Sequence, residues 1–233
     1  MKNKQVSVFQ VNGEKVVVHT KRNRRARQMT LRIDAANDCA VLVLPSRASL
    51  AEGIDFARSK APWVKEKLQS LPPRMPFAPG ETIRVKGRLL TIRYDNRVGP
   101  RAQRDGDILR VGGDPDLLRE RVILWLRESA RCAITKRVTE RAAQIDKKFR
   151  RVTLRDSRTR WGSCSTLGNL SFSWRLILAP LEVMDYVVSH EVAHLAHMNH
   201  GPRFWKLVDE LVPHTPRARE WLGLYGTALL RQG

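Results

Sequence analysis

Residues 190–200 read His190-Glu191-Val192-Ala193-His194-Leu195-Ala196-His197-Met198-Asn199-His200, and no other segment restricts the chain so tightly. On a helix, residues four apart lie about 40° apart around the axis and one turn up. His190 and His194 can therefore aim their imidazoles at one tetrahedral metal, leaving Glu191 to flank an open coordination position. An apolar, β-branched run precedes the pair, which suits a buried helix. Three protein ligands and one water is the usual set for a catalytic zinc, so a third donor is needed. On a continuous helix His197 would stand roughly 10 Å along the axis from His190, beside the metal or turned from it. His200 can return to the metal if the helix ends between it and His194. Asn199, His200, Gly201 and Pro202 supply a stop signal. The spacing predicts His190, His194 and His200 as metal ligands, with His197 as a supporting or surface residue.

The rest of the composition bears on partner and compartment. Lys and Arg number 43 against 23 Asp and Glu, a formal charge of +20, which fits nucleic acid, anionic lipid or phosphate-bearing substrates. The densest run is Lys21-Arg22-Asn23-Arg24-Arg25-Ala26-Arg27, with no acid in it. No helix-turn-helix, zinc-finger or RNA-recognition pattern accompanies it. The three cysteines, Cys39, Cys132 and Cys164, are too scattered for a disulfide framework or a thiolate zinc site. With no apolar run of about 18 residues and no signal-peptide pattern in Met1 to Val6, the expected location is the cytoplasm, with no membrane partner.

Alternating apolar runs at Val6–Phe9, Val16–Val18, Leu31–Ile33 and Ala40–Leu44, with turn signals at Asn12-Gly13 and Asn37-Asp38, predict a small antiparallel sheet. A helix over Ser49–Ser70 follows, kinked or restarted at Pro62. A stretch with four prolines, 71–80, reads as a linker. Strand character resumes over 81–111, and Asp114-Pro115 opens a long helix from Asp116 to about Arg150. Val152–Leu154 and Leu170–Trp174 read as strands, Pro180 starts the helix that carries His190, and the tail from Pro202 is helical with a break at 213–216. No internal repeat is visible. The expected class is α+β: an N-terminal β-rich subdomain over 1–112, with one helix and a Pro-rich linker, and a metal-binding catalytic domain over 113–233.

Several segments in order carry a resemblance. They are Arg158-Thr159-Arg160-Trp161-Gly162-Ser163-Cys164-Ser165, Gly168 to Leu176, Ala179-Pro180, Asp185-Tyr186-Val187-Val188, the His-Glu-x-x-His stretch, and Asn199-His200-Gly201-Pro202-Arg203-Phe204-Trp205. In this order they resemble the YgjP-like metallopeptidase family, a relative of the SprT-like zinc proteases. Lys21–Ile33 and Ala61-Pro62-Trp63-Val64 also look like that family's N-terminal half. The resemblance implies a zincin-like fold, Zn2+ on His190, His194 and His200, and Glu191 as the catalytic carboxylate. Many relatives have Ser where this chain has Gly201, a departure shared with the SprT-like branch.

The expected chemistry is hydrolysis by a zinc-bound water, with Glu191 as general base, on a peptide or protein substrate. Arg160, Arg175 and Tyr186 are candidates for stabilising the developing oxyanion, although Tyr186 reads more naturally as a buried structural residue. The strand Leu170–Trp174 is a candidate edge for an extended peptide, and Cys164 reads as a small turn or core residue. Two alternatives keep the metal and change the substrate. One is a nucleotide phosphoanhydride hydrolase (a nucleoside triphosphate pyrophosphatase), supported by Arg155, Arg158, Arg160, Arg175 and Arg203 near the motif. The other is a DNA-associated SprT-like protease acting on proteins bound to nucleic acid, with the basic N-terminal half as the nucleic-acid contact. A metal-stabilised domain without catalysis leaves Glu191 and the open position unused. Nothing in the sequence bears on oligomeric state.

Overall fold

The computed structural model describes residues 5–11 and 14–233, and among them it holds six α-helices and three mixed sheets. Contacts divide the chain into two compact units, 1–73 and 74–233. The division falls inside the proline-rich stretch rather than at 112. The strands of residues 81–111 belong with the second unit because their inner side chains Ile83, Leu90, Ile92 and Leu109 share one buried cluster with the long helix.

In the first unit, β1 (Gln5–Val11), β2 (Glu14–Arg22), β3 (Thr30–Asp34) and β4 (Cys39–Leu44) form a sheet in the order β1-β2-β4-β3. The Asn12-Gly13 turn lies outside the described residues. The sheet is mixed rather than antiparallel, since β2 runs parallel to β4, pairing Val18 with Ala40 and Arg22 with Leu44. The cause is the loop at 23–29, which carries the chain past the position of β4 and leaves β3 at the edge. Two helices cover one face. The first, α1 (Leu50–Ser59), starts at a capping box in which Ser49 Oγ accepts from Glu52 N and the Glu52 carboxylate accepts from Ser49 N. The second, α2 (Ala61–Gln69), starts afresh with Pro62 in its first turn, as the proline requires. Val16, Val18, Leu42 and Leu44 meet Ala57, Ala61 and Val64 in this unit's core.

The second unit opens with the same strand plan. Its sheet of β5 (Thr82–Val85), β6 (Arg88–Tyr94), β7 (Gln103–Asp105) and β8 (Ile108–Val111) has the order β5-β6-β8-β7, again with a parallel central pair. The two sheets thus repeat one topology that the side-chain pattern does not reveal. The long helix α3 (Leu118–Gln144) buries Leu118, Val122, Leu126, Ala130, Ile134, Val138 and Ala142. A strict four-residue spacing advances about 40° per step, so this stripe winds around the helix. It meets β8, then the 3-10 turn at Trp174–Leu178 and the metal-motif helix, then the third sheet. The helix is shorter than its sequence suggests, because Pro115–Leu117 is a 3-10 turn and the chain turns at Asp146, with φ of 50°. Leu117 and Leu124 lie off this stripe and are exposed.

The third sheet has the order β10-β11-β9, from β9 (Arg151–Arg155), β10 (Gly162–Cys164) and β11 (Asn169–Ser173). Leu170 and Phe172 point into the core. Three helices complete the unit: α4 (Leu181–Ala193), α5 (Pro202–Leu211) and α6 (Thr215–Leu230). An ion pair ties α3 to α4, where the Asp185 carboxylate accepts from Arg141 at 3.1 and 2.5 Å with Arg137 at 3.4 Å. Among the described residues no helix is long and apolar enough to cross a membrane.

Candidate metal centre

Because α4 is apolar almost all round, ten of its thirteen residues are buried, Glu191 among them. It ends with His194 as its C-cap, earlier than the Asn199-to-Pro202 stop signal implies. His190 and His194 therefore occupy the last turn and its cap. The chain doubles back through 195–199, and His200 arrives just ahead of α5, whose first residue is Pro202.

The structure brings His190, His194 and His200 together, one ring nitrogen from each lying within 4.8 Å of the others. The Nε2 atoms of His190 and His200 are 3.1 Å apart, close to the roughly 3.3 Å that two imidazoles span on a tetrahedral zinc with bonds near 2.05 Å. His194 Nδ1 lies 3.0 Å from the backbone oxygen of His197, an arrangement that fixes the tautomer and leaves Nε2 as the free donor atom. His197 thus serves the cluster through its carbonyl and not its ring. His190 Nδ1 is buried without a hydrogen-bond partner among the described residues. Burial, then the neighbouring His194 and His200, pushes the His190 imidazole down to about 4. Burial also lowers His194. Neutral imidazoles are the form a metal takes, so the donor set fits a metal ion.

Phe204, whose side chain is fully buried, stands beneath all three rings. Its centroid is 4.5 Å from His194, 4.9 Å from His190 and 4.8 Å from His200. It sits four residues after His200, within the Asn199–Trp205 segment that carries the family resemblance. Tyr186 lies one turn before His190 and meets that ring edge-on at 5.9 Å. Burial raises its phenol above the ordinary value.

Glu191 leaves α4 toward β10 and is only 6% exposed. Its carboxyl is pushed up to about 7 by burial, against the lowering effects of Arg160 and of the Cys164 backbone N–H that donates to it. The carboxylate lies so close to Gly162 that a Cβ there would be 2.5 Å from Glu191 Cγ and 2.6 Å from Oε1. Gly162 is the residue that sequence spacing could not single out, because its role is a close approach between distant segments. Cys164 is half-buried, and burial followed by the Glu191 charge pushes its thiol up to about 11. That suits a small sheet residue and not a nucleophile.

Two nominations change. Leu170–Ser173 is the central strand of its sheet, paired on both sides, so it offers no free edge; the edge beside Glu191 is β10. Arg175 is 7% exposed and engaged elsewhere, donating to Asp156 Oδ1 at 2.9 Å and to the carbonyls of Leu229 and Gln232. It clamps the end of α6 and does not face the histidines. Next to β10 a groove of about 880 Å³ is lined by Arg151, Arg155, Arg160, Ser171 and Ser173 among others.

Neither the curated proteins nor the solved structures contain a significant match to this chain. A family does match: the YgjP-like metallopeptidase domain aligns with residues 27–224, from the basic loop of the first unit to the last helix of the second. Its span takes in the histidine cluster, Glu191 and Gly162, and on that match the chain belongs to the YgjP-like metallopeptidase family.

Proposed function

We propose that the chain is a zinc-dependent hydrolase, a metallopeptidase with a zincin-like catalytic domain, in which His190, His194 and His200 hold the metal and Glu191 is the general base. The observation that carries this reading is the convergence of the three imidazoles next to a buried carboxylate held between Gly162 and the Cys164 N–H. A bound zinc supplies Lewis acidity, which makes water acidic near neutral pH and polarises a carbonyl. Glu191 takes a proton on its carboxylate and returns it to the leaving group, a task suited by a carboxyl whose burial moves it toward neutrality. Among the described residues no strand pairs with the outer edge of β10, and that edge can align an extended peptide by main-chain hydrogen bonds. For the oxyanion, Arg160 and the protonated Tyr186 hydroxyl remain the candidates. Cys39, Cys132 and Cys164 are all free thiols, which supports a reducing, cytoplasmic setting.

Replacing Glu191 by Gln tests the assignment. The variant is expected to keep its metal and to lose hydrolysis of peptide libraries by a factor of about 10³ or more; undiminished turnover overturns the role of Glu191. A second reading, a metal-dependent hydrolase of nucleotide phosphoanhydrides, draws on the three arginines of the groove beside β10. Parallel assays of the metal-loaded protein with peptides and with nucleoside triphosphates decide between the two.

A further inference from the structure

The densest run of positive charge in the sequence, residues 21–27, belongs to the first unit, whereas the histidine cluster belongs to the second. The crossover at 23–29 that makes the sheet mixed carries Arg24, Arg25 and Arg27, all exposed. Lys21 at the end of β2 and Arg47 in the turn before α1 are exposed as well. Among the described residues none of these five side chains is in an ion pair.

The loop that presents them is built rather than loose. Arg22 donates to the carbonyls of Pro45, Ser46 and Ala48 at 3.3, 3.3 and 2.8 Å. Asn23 N donates to Leu44 O at 2.9 Å, Asn23 Oδ1 accepts from Arg25 N at 3.0 Å, and Ala26 N donates to Asn23 O at 3.1 Å. One arginine is thus spent on holding the backbone while its neighbours stay free to face solvent. Lys21, Arg22, Asn23, Arg24, Ser46 and Ala48 line a depression of about 820 Å³. Fixed like charges around a concavity repel one another, and a polyanion relieves that repulsion while releasing its own counterions.

The character of the lining narrows the polyanion. No aromatic side chain lines the depression among the described residues, so it lacks the stacking platform by which single strands are held. Among the described residues no carboxylate lines it either, and its lysine, arginines, asparagine and serine are all donors of the kind that position a duplex through its phosphate oxygens. We propose that this face of the first unit docks the phosphate backbone of a nucleic-acid duplex, without regard to sequence. The proposal is independent of the hydrolase reading.

The test is fluorescence anisotropy of the full chain with a labelled duplex of about 25 base pairs at several salt concentrations. With five phosphate contacts, the slope of log K against log salt is expected near −4.5, taking about −0.9 per contact. Arg24→Ala, Arg25→Ala and Arg27→Ala combined should weaken binding at about 0.1 M salt at least tenfold and bring the slope to about −2. A charge-matched triple on the exposed loop after α3, Lys147→Ala, Lys148→Ala and Arg150→Ala, should change affinity less than about threefold. Glu191→Gln should bind as the unsubstituted chain does, which separates this result from any failure of the hydrolase reading. Equal losses in the two triples would show that net charge alone drives binding and would overturn the proposal. So would no binding, or tighter binding to single strands than to the duplex.

Discussion

Replacing Gly162 by Ala puts one methyl group against the side chain of Glu191. Gly162 is not among the residues with positive φ, so alanine meets no backbone strain, and the substitution isolates the close approach. The added Cβ would stand 2.5 Å from Glu191 Cγ, 2.6 Å from Oε1 and 2.8 Å from Cδ, where carbon contacts prefer about 3.5–4.0 Å. The side chain must therefore withdraw by about 1 Å, from a site where it is 6% exposed and receives the Cys164 N–H. A misplacement of about 1 Å costs on the order of 10²-fold in rate, or about 2.7 kcal/mol of activation free energy. The assay is kcat and KM of the zinc-loaded variant, alongside metal content and thermal melting. The expected result is full metal occupancy, a kcat lower by about 10² and a KM within about threefold. A variant that keeps kcat within about threefold would refute the argument that Gly162 sets the position of the carboxylate.

Two further outcomes follow from the site and its support. His200→Ala should strip the metal, whereas His197→Ala should retain it, since His197 serves His194 through a backbone oxygen; metal analysis after dialysis distinguishes them, and equal retention would exclude His200 as a ligand. Asp185→Asn removes the charge that faces Arg141 and Arg137 between α3 and α4. It should cost about 3 kcal/mol in urea unfolding, and a loss below about 1 kcal/mol would show that the pair contributes little.

The helix of the motif, the three clustered histidines His190, His194 and His200, and the restart at Pro62 were legible in the sequence because each is local chemistry: a helical period, a metal-ligand spacing, a missing N–H. What escaped was tertiary. The three-residue edge strand Gly162–Cys164 has no alternation to betray it, and its pairing with Phe172 to Leu170 alone makes it a strand. The parallel pairs β2–β4 and β6–β8 depend on crossovers whose paths no residue pattern encodes. Arg175 reads as a candidate for an oxyanion or a phosphate until the far end of α6 supplies the carbonyls it grips. The end of α4 at Ala193, ahead of any glycine or proline, is set by the turn through Leu195–His197 and the bond from His194 to the His197 carbonyl.

Phe204 belongs at once to the apolar cluster of the second unit and to the ring of contacts around the three imidazoles. Two properties usually adjusted separately, how tightly the interior is filled and how well three donor atoms are spaced, therefore hang on one side chain. A tenth-of-an-ångström shift of α5, of the kind a changed residue at Val208 or Leu211 produces in a close-packed interior, passes through that ring to the donor atoms. Sequence change in the core behind α5 is thus constrained by metal uptake as well as by folding, and drift there should register first as a weaker hold on the ion.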